Sequence, residues 1–190
     1  EVVLSLGAFE TRLFEDILGS LLGLPEDTAG ALRITALGDG PGMIASSRTY
    51  TEEPGKSYGL AIGLLGSSEA EPGDEAALTF LSGGPRTRTN LGFLETRGLE
   101  TVAEVTLFDG SGSILATREL TVEAFQAVQW NDVFAEMGIA PVEEASATVS
   151  VARGGALLVH ATRVDNATND GSFLPARVFR SRPVTPTSVR

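Results

Sequence analysis

The sequence repeats part of itself, and this repeat limits the folds that the chain can adopt. The segment LSLGAFETRLFEDIL, which begins at Leu4, matches LTVEAFQAVQWNDVF, which begins at Leu120, at an offset of 116 (120 − 4). The matched positions are Ala8-Phe9 with Ala124-Phe125, Phe14 with Trp130, and Asp16 with Asp132. Self-similarity at a fixed spacing indicates a duplicated structural unit, so one architecture should describe both copies.

The match continues further along both copies. MIASSRTYTEE aligns with LLVHATRVDNAT and brings Arg48 onto Arg163 at an offset of 115 (163 − 48), so the two arginines are expected to end equivalent strands. The second copy opens with about three strands, and only the last of them has a counterpart in the first copy. The others were either removed by processing or truncation, or are supplied by another segment.

A sandwich that lacks strands exposes an apolar face and an unpaired edge. We therefore expect the first copy to accept a strand from a neighbouring chain, which would give dimers or fibres by β-strand addition. The C-terminal sequence SRPVTPTSVR is a candidate donor or linker.

Most of the chain is predicted to form short strands separated by Gly, Pro, Asp and Glu turns. The predicted strands are 1–6, 31–35, 43–50, 58–63, 76–81, 89–94, 101–108, 113–122, 147–151, 156–164 and 176–180. This pattern predicts an all-β fold, a duplicated immunoglobulin-like β-sandwich with one short helix per repeat. The predicted domains are residues 1–84 for the first repeat, 85–182 for the second and 183–190 for a tail.

Two segments have the apolar spacing of a helix. The two stripes are Phe14, Ile17, Leu18, Leu21 and Leu22 in the first copy, and Trp130, Val133, Phe134 and Met137 in the second. Gly23 and Gly138 are expected to end these helices. Asp16 and Asp132 are expected to cap their first turns.

Composition excludes several classes of function. The net charge of −11, from 25 acids against 14 bases, argues against nucleic-acid binding, which needs clustered Lys and Arg. With no cysteine there are no disulfides and no thiolate metal sites. The longest apolar stretch, Tyr58 to Leu65, is interrupted by glycine and too short for membrane insertion. A chain that begins at Glu1 without a basic and apolar leader is interpreted as a processed or excised piece.

The stretch ATRVDNATND is the strongest candidate site. Arg163, Asp165, Asn166, Asn169 and Asp170 are the candidate ligand-binding residues. Calcium is the metal that suits such oxygen donors, with Asp165, Asn169 and Asp170 as candidate ligands, although the ligand spacing of an EF-hand is absent. No other cofactor is expected. FDGSGS, which contains Asp109, is interpreted as a hairpin turn.

No set of catalytic residues is predicted, so the chain is expected not to be an enzyme. No Ser-His-Asp set can be placed from the sequence, and with His160 as the single histidine no His-based metal site is possible. His160 alternates with apolar neighbours and is expected on the outer face or at a sheet edge. The acids sit mainly in turns such as EAEPGDE, which read as solvated surface.

The motifs RTNLGFLET, VTLFDGSGSILAT and VHATRVDNATND together resemble a tandem β-sandwich repeat module of large secreted or surface-attached bacterial proteins. The resemblance runs from about Leu4 to Leu174, and one departure is the late Pro175 after NDGSFL. It implies a secreted or cell-surface structural or adhesive module. Its expected partners are other copies of itself or neighbouring domains. The alternative is a glycan- or peptide-binding module that uses the strand-end loops around 163–170.

Overall fold

The computed structural model describes residues 1–26, 28–37, 43–63, 65 and 68–180. The chain divides into two units, Glu1–Thr35 and Ala36–Arg190. The strands are β1 (Ser46–Glu53), β2 (Lys56–Gly63), β3 (Glu69–Ala70), β4 (Glu75–Gly83), β5 (Thr87–Glu95), β6 (Thr101–Asp109), β7 (Ile114–Val122), β8 (Ala127–Trp130), β9 (Val142–Arg153), β10 (Leu157–Asp165), β11 (Gly171–Pro175) and β12 (Arg177–Phe179). Helical structure in the described residues consists of one π-helical turn, Ile17–Leu21, and α1 (Val133–Glu136).

Strands β3 to β12 form a two-layer sandwich, called here the C-terminal sandwich. One sheet has the strand order β12-β4-β9-β6-β7, and the other has the order β11-β10-β5-β8, with β3 paired to β10. The pairs in both sheets are antiparallel. Strands β1 and β2 form a separate antiparallel hairpin. The prediction of an all-β, sandwich-like architecture is therefore confirmed.

Inward-facing side chains of both sheets make a single core. Strand β9 alternates as predicted, since Ala147, Val149 and Val151 are all buried. Phe93 of β5 meets Trp130 of β8 edge to face, with ring centroids 5.3 Å apart. Because each fully buried side chain of this size contributes about 1.5–3 kcal/mol, the shared core is the main source of stability for the sandwich.

Strand β4 lies on the N-terminal side of the boundary predicted between residues 84 and 85. In the structure it lies between β12 and β9 in the larger sheet and is part of the C-terminal sandwich. The reason is hydrogen bonding, because a strand belongs to the sheet whose ladder it completes. The predicted tail, 183–190, lies outside the described residues, as does the candidate donor SRPVTPTSVR from residue 181 onward.

The unit Glu1–Thr35, called here the N-terminal segment, has no buried residue among those described. Its apolar side chains are exposed or half-buried; the exposed ones are Val2, Val3, Leu4, Leu6, Phe9, Leu13, Phe14, Leu24, Leu32 and Ile34. The strands predicted at 1–6 and 31–35 are absent. A strand needs a hydrogen-bonded neighbour, and these two stretches have none in the described unit.

The two predicted helices are each reduced to a single short turn. Phe14 precedes the π-helical turn, and Trp130 ends β8, so neither aromatic residue lies on a helical stripe. Asp16 caps its turn as predicted, because its carboxylate accepts a hydrogen bond from the Gly19 amide at 3.1 Å. The same prediction is wrong for Asp132, whose side chain makes no capping hydrogen bond. Both glycine stops are confirmed, with φ of 65° at Gly23 and 70° at Gly138.

The matched segments share unusual backbone angles. Positive φ is uncommon for residues with a side chain and costly unless the surroundings enforce it. Two matched pairs have it: Phe9 (φ 60°) with Phe125 (φ 58°), and Asp16 (φ 47°) with Asp132 (φ 43°). The turns around the two phenylalanines also share their hydrogen bonds. Glu10 N donates to Gly7 O at 3.1 Å, and Gln126 N donates to Glu123 O at 3.0 Å.

The change of offset from 116 to 115 lies at the helical turns. Leu24 N donates to Leu18 O at 2.9 Å, six positions back, whereas Ile139 N donates to Phe134 O at 2.8 Å, five positions back. The first turn therefore contains one additional residue and is π-helical, while the second is α-helical. A single inserted residue is the usual origin of a π-helical turn.

A buried carboxylate joins two loops at one end of the C-terminal sandwich. Glu95, at the end of β5, is 1% exposed and accepts backbone hydrogen bonds from Arg97 and Gly98 at 2.7 Å each and from Phe125 at 2.9 Å. Burial raises the pKa of Glu95, but the backbone hydrogen bonds together lower it by more, with the largest effect from Phe125. The pKa therefore lies below the usual 4.5. The charged carboxylate thus fixes the β5–β6 loop to the β7–β8 turn.

Replacing this carboxylate should destabilise the sandwich in a pH-dependent way. A folded-state pKa below the unfolded value of 4.5 means that the contribution of Glu95 is full above pH 4.5 and is lost as pH falls through the folded pKa. Glu95→Gln should lower the free energy of unfolding by about 1–3 kcal/mol at pH 7, because an amide cannot satisfy all three donors. Urea unfolding from pH 7 to pH 3 should show this deficit shrinking. The exposed Glu119→Gln is the control, and an equal deficit there would contradict the assignment.

Candidate functional site

The motifs RTNLG and DNATND lie side by side on neighbouring strands. In the antiparallel register of β5 and β10, Thr87 faces Asp165, and Arg88 faces Val164. RTNLG therefore runs along the end of β10 from which the DNATND loop departs. Hydrogen bonds of Arg88 join the two motifs, whose polar side chains are called here the motif cluster: Arg88, Asn90, Asp165, Asn166 and Asn169.

Arg88 is the centre of the motif cluster. Its Nη1 donates to Asn166 Oδ1 at 2.8 Å, and its Nη2 donates to Asn169 Oδ1 at 3.1 Å. The guanidinium presents rigidly spaced donors, so it orients two amides of one loop at once. Arg88 thus holds the loop between β10 and β11 against β5.

Asn166 extends the contact to the turn between β4 and β5. Its amide nitrogen Nδ2 donates to Gly84 O at 3.0 Å, and its backbone N donates to Arg86 O at 2.9 Å. The turn is tied down further by Thr89, whose buried hydroxyl donates to Ser82 O at 2.8 Å. The loop and the turn are therefore joined through both side-chain and backbone groups.

Asp165 shapes the loop from within. Its Oδ1 accepts the backbone amides of Ala167 and Thr168, both at 2.9 Å, and the Thr168 hydroxyl at 3.1 Å. These hydrogen bonds, the strongest from the Thr168 amide, hold the pKa of Asp165 below the usual 3.8. This is the geometry of an Asx turn, in which a carboxylate replaces a backbone carbonyl.

Arg163 and Asp170 do not join the motif cluster. Arg163 lies on β10 opposite Thr89 and Ser172, and its side chain is exposed. Asp170 contributes its backbone, since its carbonyl accepts a hydrogen bond from Asp165 N at 2.9 Å, while the residue is exposed. Of the five predicted ligand-binding residues, the structure thus engages three in hydrogen bonds of their side chains and leaves two facing solvent.

Arg48 differs from Arg163 in its position on the strand. It is the third residue of β1, five register pairs before the end of the hairpin at Glu53, so the prediction that it ends its strand is wrong. Its Nη2 donates to Ser57 Oγ at 2.8 Å, and its guanidinium lies 5.1 Å from the centroid of the Tyr50 ring. Arg163, by contrast, is followed by one more β10–β11 pair. The shorter β1–β2 connection accounts for this difference.

His160 lies on the outer face of β10, which is one of the two positions predicted for it. Its neighbours Val159 and Ala161 point into the core, and its ring packs against Phe173 with centroids 5.2 Å apart. The ring also covers Gly92 of β5, where a Cβ atom would overlap it. Burial lowers the pKa of His160 below its usual 6.5. The absence of a side chain at Gly92 creates the space that the imidazole fills.

The FDGSGS segment forms the predicted hairpin turn between β6 and β7. Asp109 Oδ1 accepts hydrogen bonds from the Ser111 hydroxyl at 2.6 Å and from the Ser111 and Ser113 amides at 2.9 Å each. Two shallow depressions, of about 400 and 390 Å³, lie at β4–β9–β12 and at β7–α1. Neither includes a residue of the motif cluster.

Sequence reasoning did not assign roles to Arg88, Asn90 and Glu95. Asn90 Oδ1 accepts the backbone amide of Asp132 at 3.0 Å, which holds that residue in its left-handed conformation. The sequence did contain a signal for Glu95, because it continues the every-second-residue spacing of the inward-facing Leu91 and Phe93 on β5. An acid at an apolar position of a strand indicates a buried carboxylate that needs hydrogen-bond donors.

Comparison with known proteins gives little similarity. No protein-family model matches the sequence, and no curated protein matches it. A solved structure described as that of Thermotoga maritima 1070 is similar with a TM-score of 0.45 and 9% sequence identity. The likeness covers 58% of this chain and 96% of that chain.

The described residues contain no group of three or more His, Cys, Asp or Glu side chains arranged to hold a metal ion. Within the same part of the chain, none of the helices has the length and apolar character needed to cross a membrane.

Calcium binding by Asp165, Asn169 and Asp170 stays a prediction, and the geometry sets its expected strength. Ca²⁺ requires six to eight oxygen ligands. Because Asp165 Oδ1 and Asn169 Oδ1 already accept internal hydrogen bonds, the loop has to open before these atoms can bind the ion. We expect isothermal titration to give an affinity no tighter than about 0.1 mM. Micromolar binding that disappears in Asp165→Asn would contradict this expectation.

The fit between Gly92 and His160 can be tested with a double-mutant cycle. Gly92→Ala should lower the free energy of unfolding by about 1–3 kcal/mol, since the added methyl group overlaps the imidazole ring. In a His160→Ala background the same change should cost less than half as much. Urea unfolding of the four proteins measures the coupling. An equal cost in both backgrounds would show that the ring is not what excludes the methyl group.

Proposed function

We propose that the chain is a non-catalytic structural β-sandwich module, of the immunoglobulin-like type and repeated in tandem, from a secreted or surface-attached bacterial protein. The observation that carries this proposal is the motif cluster. Arg88, Asn90, Asn166 and Asn169 make side-chain hydrogen bonds to other parts of the sandwich, and Asp165 holds the conformation of its own loop. The motifs on which the resemblance to such modules depends therefore have a fold-stabilising role.

The motif cluster joins elements that are distant in the sequence. Arg88 and Asn169 are 81 positions apart, and Asn90 and Asp132 are 42 positions apart. Links of this kind oppose the separation of the elements they join, because each hydrogen bond has to break before those elements part. This property suits a spacer or adhesive unit that has to resist unfolding outside the cell.

The shared local geometry of the matched segments supports the tandem repeat. Two pairs of residues at an offset of 116 have positive φ within about 5° of each other, and their turns share hydrogen bonds. Conformations that are rare for residues with a side chain are unlikely to coincide in unrelated segments, so common descent is the simpler explanation. The partners we propose are accordingly neighbouring modules and other copies of the chain.

The surface charge and composition agree with an extracellular location. A net charge of −11 keeps a protein soluble and disfavours association with nucleic acid. The absence of cysteine removes thiols that would react in an oxidising environment.

The structural role predicts which arginine matters for stability. Arg88→Ala should lower the free energy of unfolding by about 1–2 kcal/mol, because it frees the amides of Asn166 and Asn169 and loosens the loop. Arg86→Ala is the matched control. It removes an exposed ion pair with Glu143, at 2.6 Å, and should cost less than about 1 kcal/mol. Chemical unfolding of both variants measures the difference, and equal losses would refute a special role for Arg88.

The competing function, glycan or peptide binding by the 163–170 loops, makes the opposite prediction. Arg163 and Asp170 face solvent, so substituting them should leave stability unchanged. Glycan and peptide arrays probed with the intact chain and with Arg163→Ala decide between the two. Reproducible binding that Arg163→Ala abolishes would replace the structural proposal with the binding one.

A further inference from the structure

The N-terminal segment has the composition of a sandwich interior but no interior of its own. Leu4, Leu6 and Phe14 are 45%, 47% and 38% exposed, and no described residue of the segment is buried. Apolar surface of this density is unfavourable in water. The segment therefore presents an unpartnered apolar face. Comparison with the matched positions of the C-terminal sandwich indicates what covers it.

The matched positions are buried in the C-terminal sandwich. At offsets of 116 and 115, the pairs are Leu4 with Leu120, Leu6 with Val122, Phe14 with Trp130, Ile17 with Val133, Leu18 with Phe134, Leu32 with Ala147, and Ile34 with Val149. The second member of every pair is at most 8% exposed, whereas the first is exposed or half-buried. The apolar face of the N-terminal segment is thus the counterpart of a face that belongs to a core.

The strands that pair with the matching region of the C-terminal sandwich are known from its topology. Strand β7 pairs with β6, β8 pairs with β5, and β9 pairs with both β6 and β4. The N-terminal segment corresponds to the region from β7 to β9. Its missing ladder partners are therefore the counterparts of β4, β5 and β6, which are three consecutive strands of the chain.

We infer that the apolar face of the N-terminal segment is the docking site for one contiguous polypeptide segment with the three-strand pattern of residues 75–109. This inference rests on the tandem repeat proposed above, but not on the structural role of the module. The occupant supplies the ladder partners for residues 1–6 and 30–35 together with inward apolar side chains such as Leu91 and Phe93. On binding, the two stretches predicted as strands become strands.

The occupant is a separate segment rather than the β4–β6 region of a second copy. In the C-terminal sandwich Leu81, Leu91, Phe93, Val105 and Leu107 are at most 1% exposed. Donating these strands to another chain would take all five side chains out of their own core and leave the facing residues of the donor, such as Ala147 and Val149, exposed to water. Such an exchange would unfold one sandwich in order to complete another.

The turn at Phe9 adds one chemical requirement. In the C-terminal sandwich the matched amide, Phe125 N, donates to the buried carboxylate of Glu95 at 2.9 Å. The two turns share their backbone conformation. The docking segment should therefore carry an acid at the end of its middle strand, which accepts the hydrogen bond of Phe9 N.

A copy of the chain's own strands provides a probe. We propose the intact chain extended ahead of Glu1 by a copy of residues 69–116, since residue 117 corresponds to residue 1 at the offset of 116 (117 − 1). Amides in residues 2–6 and 30–35 should then exchange hydrogen at least about tenfold more slowly than in the unextended chain, as expected for amides that join a ladder. Hydrogen exchange read by mass spectrometry follows these peptides directly.

Two variants sharpen the probe. The control extension carries Leu91→Asp and Phe93→Asp in the added copy alone, and it should give no slowing. A second extended chain carries Leu18→Phe and Leu32→Ala, which match the side chains of Phe134 and Ala147 and remove any misfit with the copied strands.

Three results would overturn the inference. The first is unchanged hydrogen exchange in the extended chain both with and without Leu18→Phe and Leu32→Ala, and the second is equal slowing by the control extension. The third is slow exchange in the unextended chain together with a dimer in sedimentation analysis, which would make a second copy the occupant. The Arg88→Ala measurement is independent of the N-terminal segment, so failure of the inference and failure of the structural role remain distinguishable.

Discussion

The hydrogen bonds of Glu95 join the β5–β6 loop to the β7–β8 turn in the C-terminal sandwich. One carboxylate at the end of β5 receives amides from its own loop and from the β7–β8 turn, which is 30 positions away. Its negative charge compensates donors that point into a buried space and would be costly if left without acceptors. Phe125 keeps its left-handed conformation in contact with this carboxylate. The course of the chain from β7 into β8, and hence the position of Trp130 in the core, follows from the same contact.

The motif cluster performs the corresponding task at the opposite end of β5. Thr89, Arg88 and Asn90 each bind a different element, respectively the end of β4, the β10–β11 loop and the start of α1. Strand β5 is therefore held at both ends by polar contacts and in its middle by Leu91 and Phe93. The features that looked most like a ligand site are explained by this division of roles along one strand.

The sequence was informative where a pattern is local and much less so where a partner is distant. The alternation of Ala147, Val149 and Val151 and the Asp-Gly turn at Asp109 could be predicted because period and turn chemistry are properties of a few consecutive residues. The contact of Arg88 with Asn166 spans 78 positions, and no local rule connects them. The strands expected at 1–6 and 31–35 failed for a related reason. Their apolar pattern is correct for a strand, but a strand also requires a hydrogen-bonded neighbour.

The additional residue in the Ile17–Leu21 turn shows how such a chain can change its length without losing its pattern. In a strand, one inserted residue would turn every following side chain to the opposite face of the sheet. In a helical turn the extra residue only widens the hydrogen-bonded turn. The apolar alternation then resumes, with Leu32 and Ile34 matching Ala147 and Val149. The helical turn can therefore take up a difference in length without changing which of the following side chains share a face.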